Sequence, residues 1–85
     1  MRWRVEVAKR AKKAIDKMPK KDRRLVLAEL QAMADDPYAG DVQWIAGESV
    51  LRRRRGDWRI FYDVYQSRLF VYVVEIKRRS SKTYS

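Results

Sequence analysis

LRRRRGDWRIFY, residues 51–62, sets four consecutive arginines before Gly56-Asp57 and an aromatic-rich run after it. Gly-Asp between two strand-like runs predicts a two-residue hairpin turn. With Gly56 and Asp57 at its centre, Arg55 faces Trp58, Arg54 faces Arg59, Arg53 faces Ile60, Arg52 faces Phe61 and Leu51 faces Tyr62. Side chains alternate along a strand. Arg52, Arg54, Arg59 and Phe61 therefore share one face, and Leu51, Ile60, Tyr62 and Val64 share the other with Arg53 among them. The apolar set is the core face, and Arg53 must snorkel out of it or cap the sheet edge. A bulge would slip this register by one residue. Arg54 opposite Arg59 is a like-charge cross-strand pair, which costs up to ~1 kcal/mol. Two readings of it stand: a cradle for phosphate, which Arg matches bidentately, with Phe61 beside it to stack a base, or a solvated basic edge that guards against aggregation.

Outward from the hairpin, residues 2–7 alternate, with Trp3, Val5 and Val7 on one face of a strand. From Ala8 the period becomes helical. Ala8, Ala11, Ile15 and Met18 form one stripe. Pro19 breaks the run, and a second helix to about Asp36 carries the stripe Val26, Leu27, Leu30, Met33 and Ala34. The loop PYAGDVQWIAG offers Trp44 and Ile45 as packing anchors. Past the hairpin, Gln66-Ser67 is a turn. Leu69–Lys77 is a nearly continuous apolar strand, with the bulkier Phe70, Tyr72, Val74 and Ile76 assigned to the helix side. Glu75 and Lys77 then look toward the arginines. The expectation is one α+β domain over residues 1–85, ordered β-α-α-β-β-β. A helical hairpin packs on one face of a small, mainly antiparallel sheet.

Composition narrows the function. Cysteine and histidine are both absent, which removes disulfides, the commonest metal ligands and the commonest general base. Neither a metal nor a cofactor is expected. The net charge is +10, from 21 Lys+Arg against 11 Asp+Glu, the footprint of a nucleic-acid binder. No apolar run approaches a membrane span of ~20 residues. The opening MRWRVEVAKR lacks a signal-peptide core, so a cytoplasmic site without membrane partners is expected.

Four segments resemble the RelE/ParE toxin superfamily of toxin–antitoxin systems, in its RelE-like branch. These are WRVEVAKRAKKAIDKMP, DDPYAGDVQWIAG, RRRRGDWRIFYDV and EIKRRSSKTY, in that order and covering nearly the whole chain. The resemblance implies a RelE-like, microbial-RNase-like fold and a toxin that cuts mRNA in the ribosomal A site. It implies a cognate antitoxin that neutralises the toxin, and contact with operator DNA only through the toxin–antitoxin complex. Carried over by position, the family's catalytic set falls on Arg52, Arg54, Arg59, Arg78 or Arg79, and Tyr84. Arg53 stands where the family has leucine, and the family's frequent lysine is missing, so the general base stays open. Two alternatives remain: a ParE-like inhibitor of DNA gyrase, and a catalytically silent nucleic-acid-binding module.

The chemistry of the residues adds to that set. Cutting RNA through its own 2′-OH requires a proton acceptor, stabilisation of a dianionic phosphorane and a proton donor. Arginines suit the middle task and carry protons poorly. Lys77 is the better proton carrier, so it joins the catalytic candidates. Phe61, Arg55 and Glu75 are candidates for holding substrate, and Glu75 is equally placed to pair with an arginine.

Overall fold

In the computed structural model, which describes residues 2–45, 47 and 49–79, the chain runs β1 (Arg4–Val7), α1 (Lys9–Lys17), α2 (Lys20–Asp35), β2 (Val42–Trp44), β3 (Val50–Arg55), β4 (Trp58–Tyr65), a 3-10 turn (Gln66–Arg68) and β5 (Phe70–Arg78). The five strands form one sheet in the order β1-β5-β4-β3-β2. β1 lies parallel to β5, and the other neighbours are antiparallel. The expected α+β arrangement is present, with one more strand than anticipated. β2 is only three residues long, too short to show a period.

Apolar periodicity explains how the helices attach. Ala11, Ile15 and Met18 of the first stripe and Val26, Leu30, Met33 and Ala34 of the second are buried. They meet Leu51, Trp58, Ile60, Tyr62, Val71, Val73 and Ile76 from one face of the sheet. Pro19 precedes the first turn of α2, where its missing N–H costs nothing. Arg23 of α2 donates to the carbonyls of Ile15 (3.3 Å) and Met18 (3.1 Å), satisfying orphan acceptors at the end of α1. Two residues expected to pack, the anchor Trp44 and Leu27 of the α2 stripe, lie outside this core. Trp44 is 57% exposed and Leu27 45% exposed. Trp44 ends the edge strand, past the cover of the helices. Leu27 sits on the rim of the α2 stripe.

The hairpin register is the one derived from Gly-Asp: Leu51 to Arg55 pair with Tyr62 to Trp58 in the expected order. Gly56 takes φ 59°, the left-handed conformation that the tight turn demands and that suits glycine. Along β3 and β4, burial alternates as the face assignment requires.

β5 corrects the expectation. Its pairing with β4 shifts between Phe61 and Tyr62: Phe61 opposes Glu75, whereas Tyr62 opposes Val73. Val74 is the extra residue of a β-bulge. Before it, Val71 and Val73 point to the core, and Phe70 and Tyr72 lie on the open face, the reverse of the assignment from side-chain bulk. After it, Ile76 is core and Glu75 and Lys77 are on the open face, as expected. One inserted residue inverts every side chain on one side of itself.

Candidate functional site

The open face of the sheet is built as cross-strand rows. One row runs Arg54, Arg59, Lys77 across β3, β4 and β5. The next runs Gln43, Arg52, Phe61, Glu75 across β2 to β5. Each cation at the ends of the first row has an acidic neighbour. Arg54 Nε donates to Asp41 Oδ2 at 3.3 Å. Lys77 Nζ lies 3.8 Å from Glu75, which is also 3.5 Å from Arg10 of α1. Arg52 Nη2 donates to Gln43 Oε1 at 2.6 Å. Arg59 stands in the middle, half-buried between two other cations. Its Nε is buried and has no hydrogen-bond partner among the described residues.

A buried, unpartnered donor costs ~1–3 kcal/mol, and like charges across strands add to that cost. Nothing within the described fold repays it. An anion over the open face would offset the charge of the whole row; the Arg59 Nε is itself closed to solvent, so taking up its N–H would require the guanidinium to turn outward. Partial burial also lowers the local dielectric, which strengthens any such contact over its value in open water.

The remaining candidates are placed differently. Arg55 projects to the helix side, 3.5 Å from Glu29. Arg78, opposite Trp58, sits with its guanidinium 5.6 Å over that indole and 4.0 Å from Asp57. It is therefore on the other face from Arg59 and Lys77. Arg79 follows the strand end, exposed, with its N–H donated to the Asp57 carbonyl at 2.6 Å. Tyr84 lies outside the described residues. The structure thus brings Arg52, Arg54, Arg59, Phe61, Glu75 and Lys77 together, and separates Arg55 and Arg78 from them.

Sequence reasoning missed the groups that hold these cations. Asp41 and Gln43 come from the loop before β2 and from β2, while Arg10 of α1 shares Glu75 with Lys77. The GD pair at 40–41 was the available signal, but only the three-residue pairing of β2 with β3 places it beside Arg54. Arg53 is the second surprise. It does not snorkel out: it is 4% exposed, donates to Glu29 at 2.5 Å and to the Ala39 carbonyl at 2.8 Å. Burial, the largest influence, works against its charge, but hydrogen bonding and attraction from Glu29 and Tyr62 outweigh it and hold the guanidinium above its ordinary pKa. Arg53 is a structural bolt on the helix side, not part of the open face. A groove of about 660 Å³ also lies away from the basic row, between β1 and α2, lined by Trp3, Val5, Val7, Leu27 and Leu30 with Arg2 and Gln31 at its polar side.

A helical hairpin on one face of a mixed five-stranded sheet is the fold this chain shares with solved RelE toxins. The chain belongs to the family of ParE toxins of type II toxin–antitoxin systems (parDE), whose model matches residues 2–82. Among solved structures it resembles the archaeal RelE–RelB complex from Pyrococcus horikoshii OT3 (TM-score 0.82, 26% identity, covering 95% of this chain and 99% of that one). It shares its fold with the isolated RelE toxin of E. coli (TM-score 0.81, 16% identity, 96% and 90%). The same holds for the toxin–antitoxin complex RelBE2 of Mycobacterium tuberculosis (TM-score 0.80, 17% identity, 93% and 93%). No curated protein matches the chain.

Proposed function

We propose that this toxin is a ribosome-dependent mRNA endonuclease, acting in the cytoplasm and held inactive by a cognate antitoxin. The observation that carries the reading is Arg59: a half-buried cation set between Arg54 and Lys77 on an open face, one row from the aromatic ring of Phe61. In the reaction the substrate's 2′-oxygen attacks the adjacent phosphorus and the bond to the 5′-oxygen breaks, leaving a cyclic phosphate and a 5′-hydroxyl. Arg59, Arg54 and Arg52 stabilise the dianionic phosphorane. One such donor is worth ~2.7–4 kcal/mol in comparable oxyanion sites. Lys77 is the group in the row that exchanges protons, and Glu75, which Arg10 also contacts, is the carboxylate beside it. Phe61 lies between Arg52 and Glu75, where a base can stack. Such a site is slow on free RNA. A ribosome that holds the strand in place supplies alignment, which contributes ~7–11 kcal/mol in well-oriented reactions.

Several structural relatives were crystallised with RelB antitoxins, which supports an antitoxin as partner here. The groove between β1 and α2, apolar along Trp3, Val5, Val7 and the exposed Leu27 and polar at Arg2 and Gln31, suits an amphipathic segment. The family's name favours a second reading, a poison of DNA gyrase that binds rather than cuts. Induced expression separates the two. In-frame mRNA ends within translated regions support the endonuclease. DNA breaks with an SOS response and intact mRNA support the gyrase poison and end the first reading.

A further inference from the structure

The open face changes character at its far end. Tyr65 and Phe70 oppose each other across β4 and β5, their rings stacked at 5.6 Å and 25°. Phe70 and Tyr72 continue the ladder at 6.4 Å and 27°. Arg4 of the edge strand β1 pairs with Phe70, its guanidinium 5.2 Å from the ring centroid, and Glu6 holds it there at 3.1 Å. Arg68 closes the other side. Arg4, Arg68 and Phe70 line a cavity of about 290 Å³. Arg68 is exposed and enters no ion pair among the described residues.

The turn that delivers Arg68 is strained. Leu69 takes φ 49°, a conformation unfavourable for leucine, and is tied by its N–H to the Gln66 carbonyl (3.2 Å) and by its own carbonyl to the Arg4 N–H (2.9 Å). Cross-strand stacking alone accounts for the rings. It does not account for two arginines converging on a solvent-open cavity against one of them. An aromatic face flanked by guanidiniums is what a nucleotide requires: a surface for the base and donors for the phosphate.

We propose that this cavity binds one nucleotide of the mRNA strand, the base against the Phe70 ladder and the phosphate between Arg4 and Arg68. The proposal rests on the reading of the open face as the RNA-cutting face. From Arg59 to Tyr65 is six residues of strand, ~20 Å along the sheet. That spans a few nucleotides of extended strand, so the cavity grips the message at a fixed distance from the cut.

The test is fluorescence anisotropy of the purified toxin with labelled 2′-O-methyl RNA, which cannot be cut. A trinucleotide is compared with a strand about twelve nucleotides long, enough to reach the cavity. Phe70→Leu keeps apolar volume and charge but removes the ring. Arg68→Gln alters an exposed turn residue, and Lys20→Gln removes one exposed cation from the helix side. The expected result is that Phe70→Leu and Arg68→Gln each weaken the long strand about tenfold, with the trinucleotide unaffected and Lys20→Gln near wild type. Equal affinities for wild type and Phe70→Leu overturn the proposal. So does a loss confined to an antitoxin peptide or to ribosomes without mRNA, which would assign the cavity to those partners. Binding is read without cleavage. A toxin that grips RNA through Phe70 and cuts nothing would refute the endonuclease and leave the cavity standing.

Discussion

A guanidinium at 4% exposure is tolerable at residue 53 because its charge is shared out: Glu29 on one side, the Ala39 carbonyl on another. Gly40 permits the approach, since a Cβ there would sit 3.0 Å from Arg53 Nη2. Removing one partner of a buried pair strands the other charge. Glu29→Ala should therefore cost ~3–5 kcal/mol in urea unfolding, whereas Glu29→Leu with Arg53→Met should recover most of that loss. A Glu29→Ala protein as stable as wild type would show that Arg53 is not held by this pair. Tyr62 gives the matching pH test. It is fully buried, donates its hydroxyl to the Pro37 carbonyl at 2.6 Å, and burial raises its pKa, with Arg53 partly offsetting. The folded chain therefore holds this proton more tightly than the unfolded chain does. The contribution is complete below the unfolded phenol value of ~10 and is lost as pH rises through the higher folded value. Above pH ~10, wild type should lose unfolding free energy more steeply per pH unit than Tyr62→Phe. Parallel slopes would contradict it.

At the scale of elements, the hairpin was legible because a two-residue turn fixes register locally: Gly-Asp sets every pair from Leu51–Tyr62 to Arg55–Trp58. β5 was not, because its bulge is decided by packing against β4 and leaves no mark in an apolar run such as FVYVV. The cost of that blind spot was the aromatic ladder, since Phe70 and Tyr72 were assigned to the core. β2 was missed for the opposite reason, being too short to carry a pattern, and with it went the partners of Arg52 and Arg54. Arg53 showed no sign of its role because its partner Glu29 lies 24 residues away. Two predictions belong here. Arg59→Ala removes a cation from between two others, so its melting temperature should be unchanged or slightly raised while growth inhibition disappears. A sharp drop in melting temperature would make Arg59 structural. Val74→Ala keeps the bulge and should keep activity. Deleting Val74 forces either Glu75 and Lys77 or Phe70 and Tyr72 to change faces, and should abolish growth inhibition and lower the melting temperature. An active deletion variant would mean that the bulge does not set the site.

At the scale of the whole molecule, a charge of +10 on 85 residues makes encounter with acidic partners fast and salt-sensitive. The antitoxin's association rate should fall steeply between low and high salt, while its dissociation rate, set by apolar anchors in the β1–α2 groove, should change little. A rate of association indifferent to salt would remove steering from the account. The two faces of the sheet then divide the work: the helix side holds the fold and offers a groove, and the open side carries a row of cations whose middle member, Arg59, has a donor without a partner among the described residues. The central claim is that the row of Arg54, Arg59 and Lys77 cuts RNA. Its most direct measurement is end analysis of mRNA on programmed ribosomes after single-turnover incubation with toxin. Wild type should leave 5′-hydroxyl and cyclic-phosphate ends at the A-site codon. Arg59→Ala should be slower by a factor of ~10² or more at an unchanged fold. Intact mRNA with the wild-type protein, or equal cutting by Arg59→Ala, would contradict it.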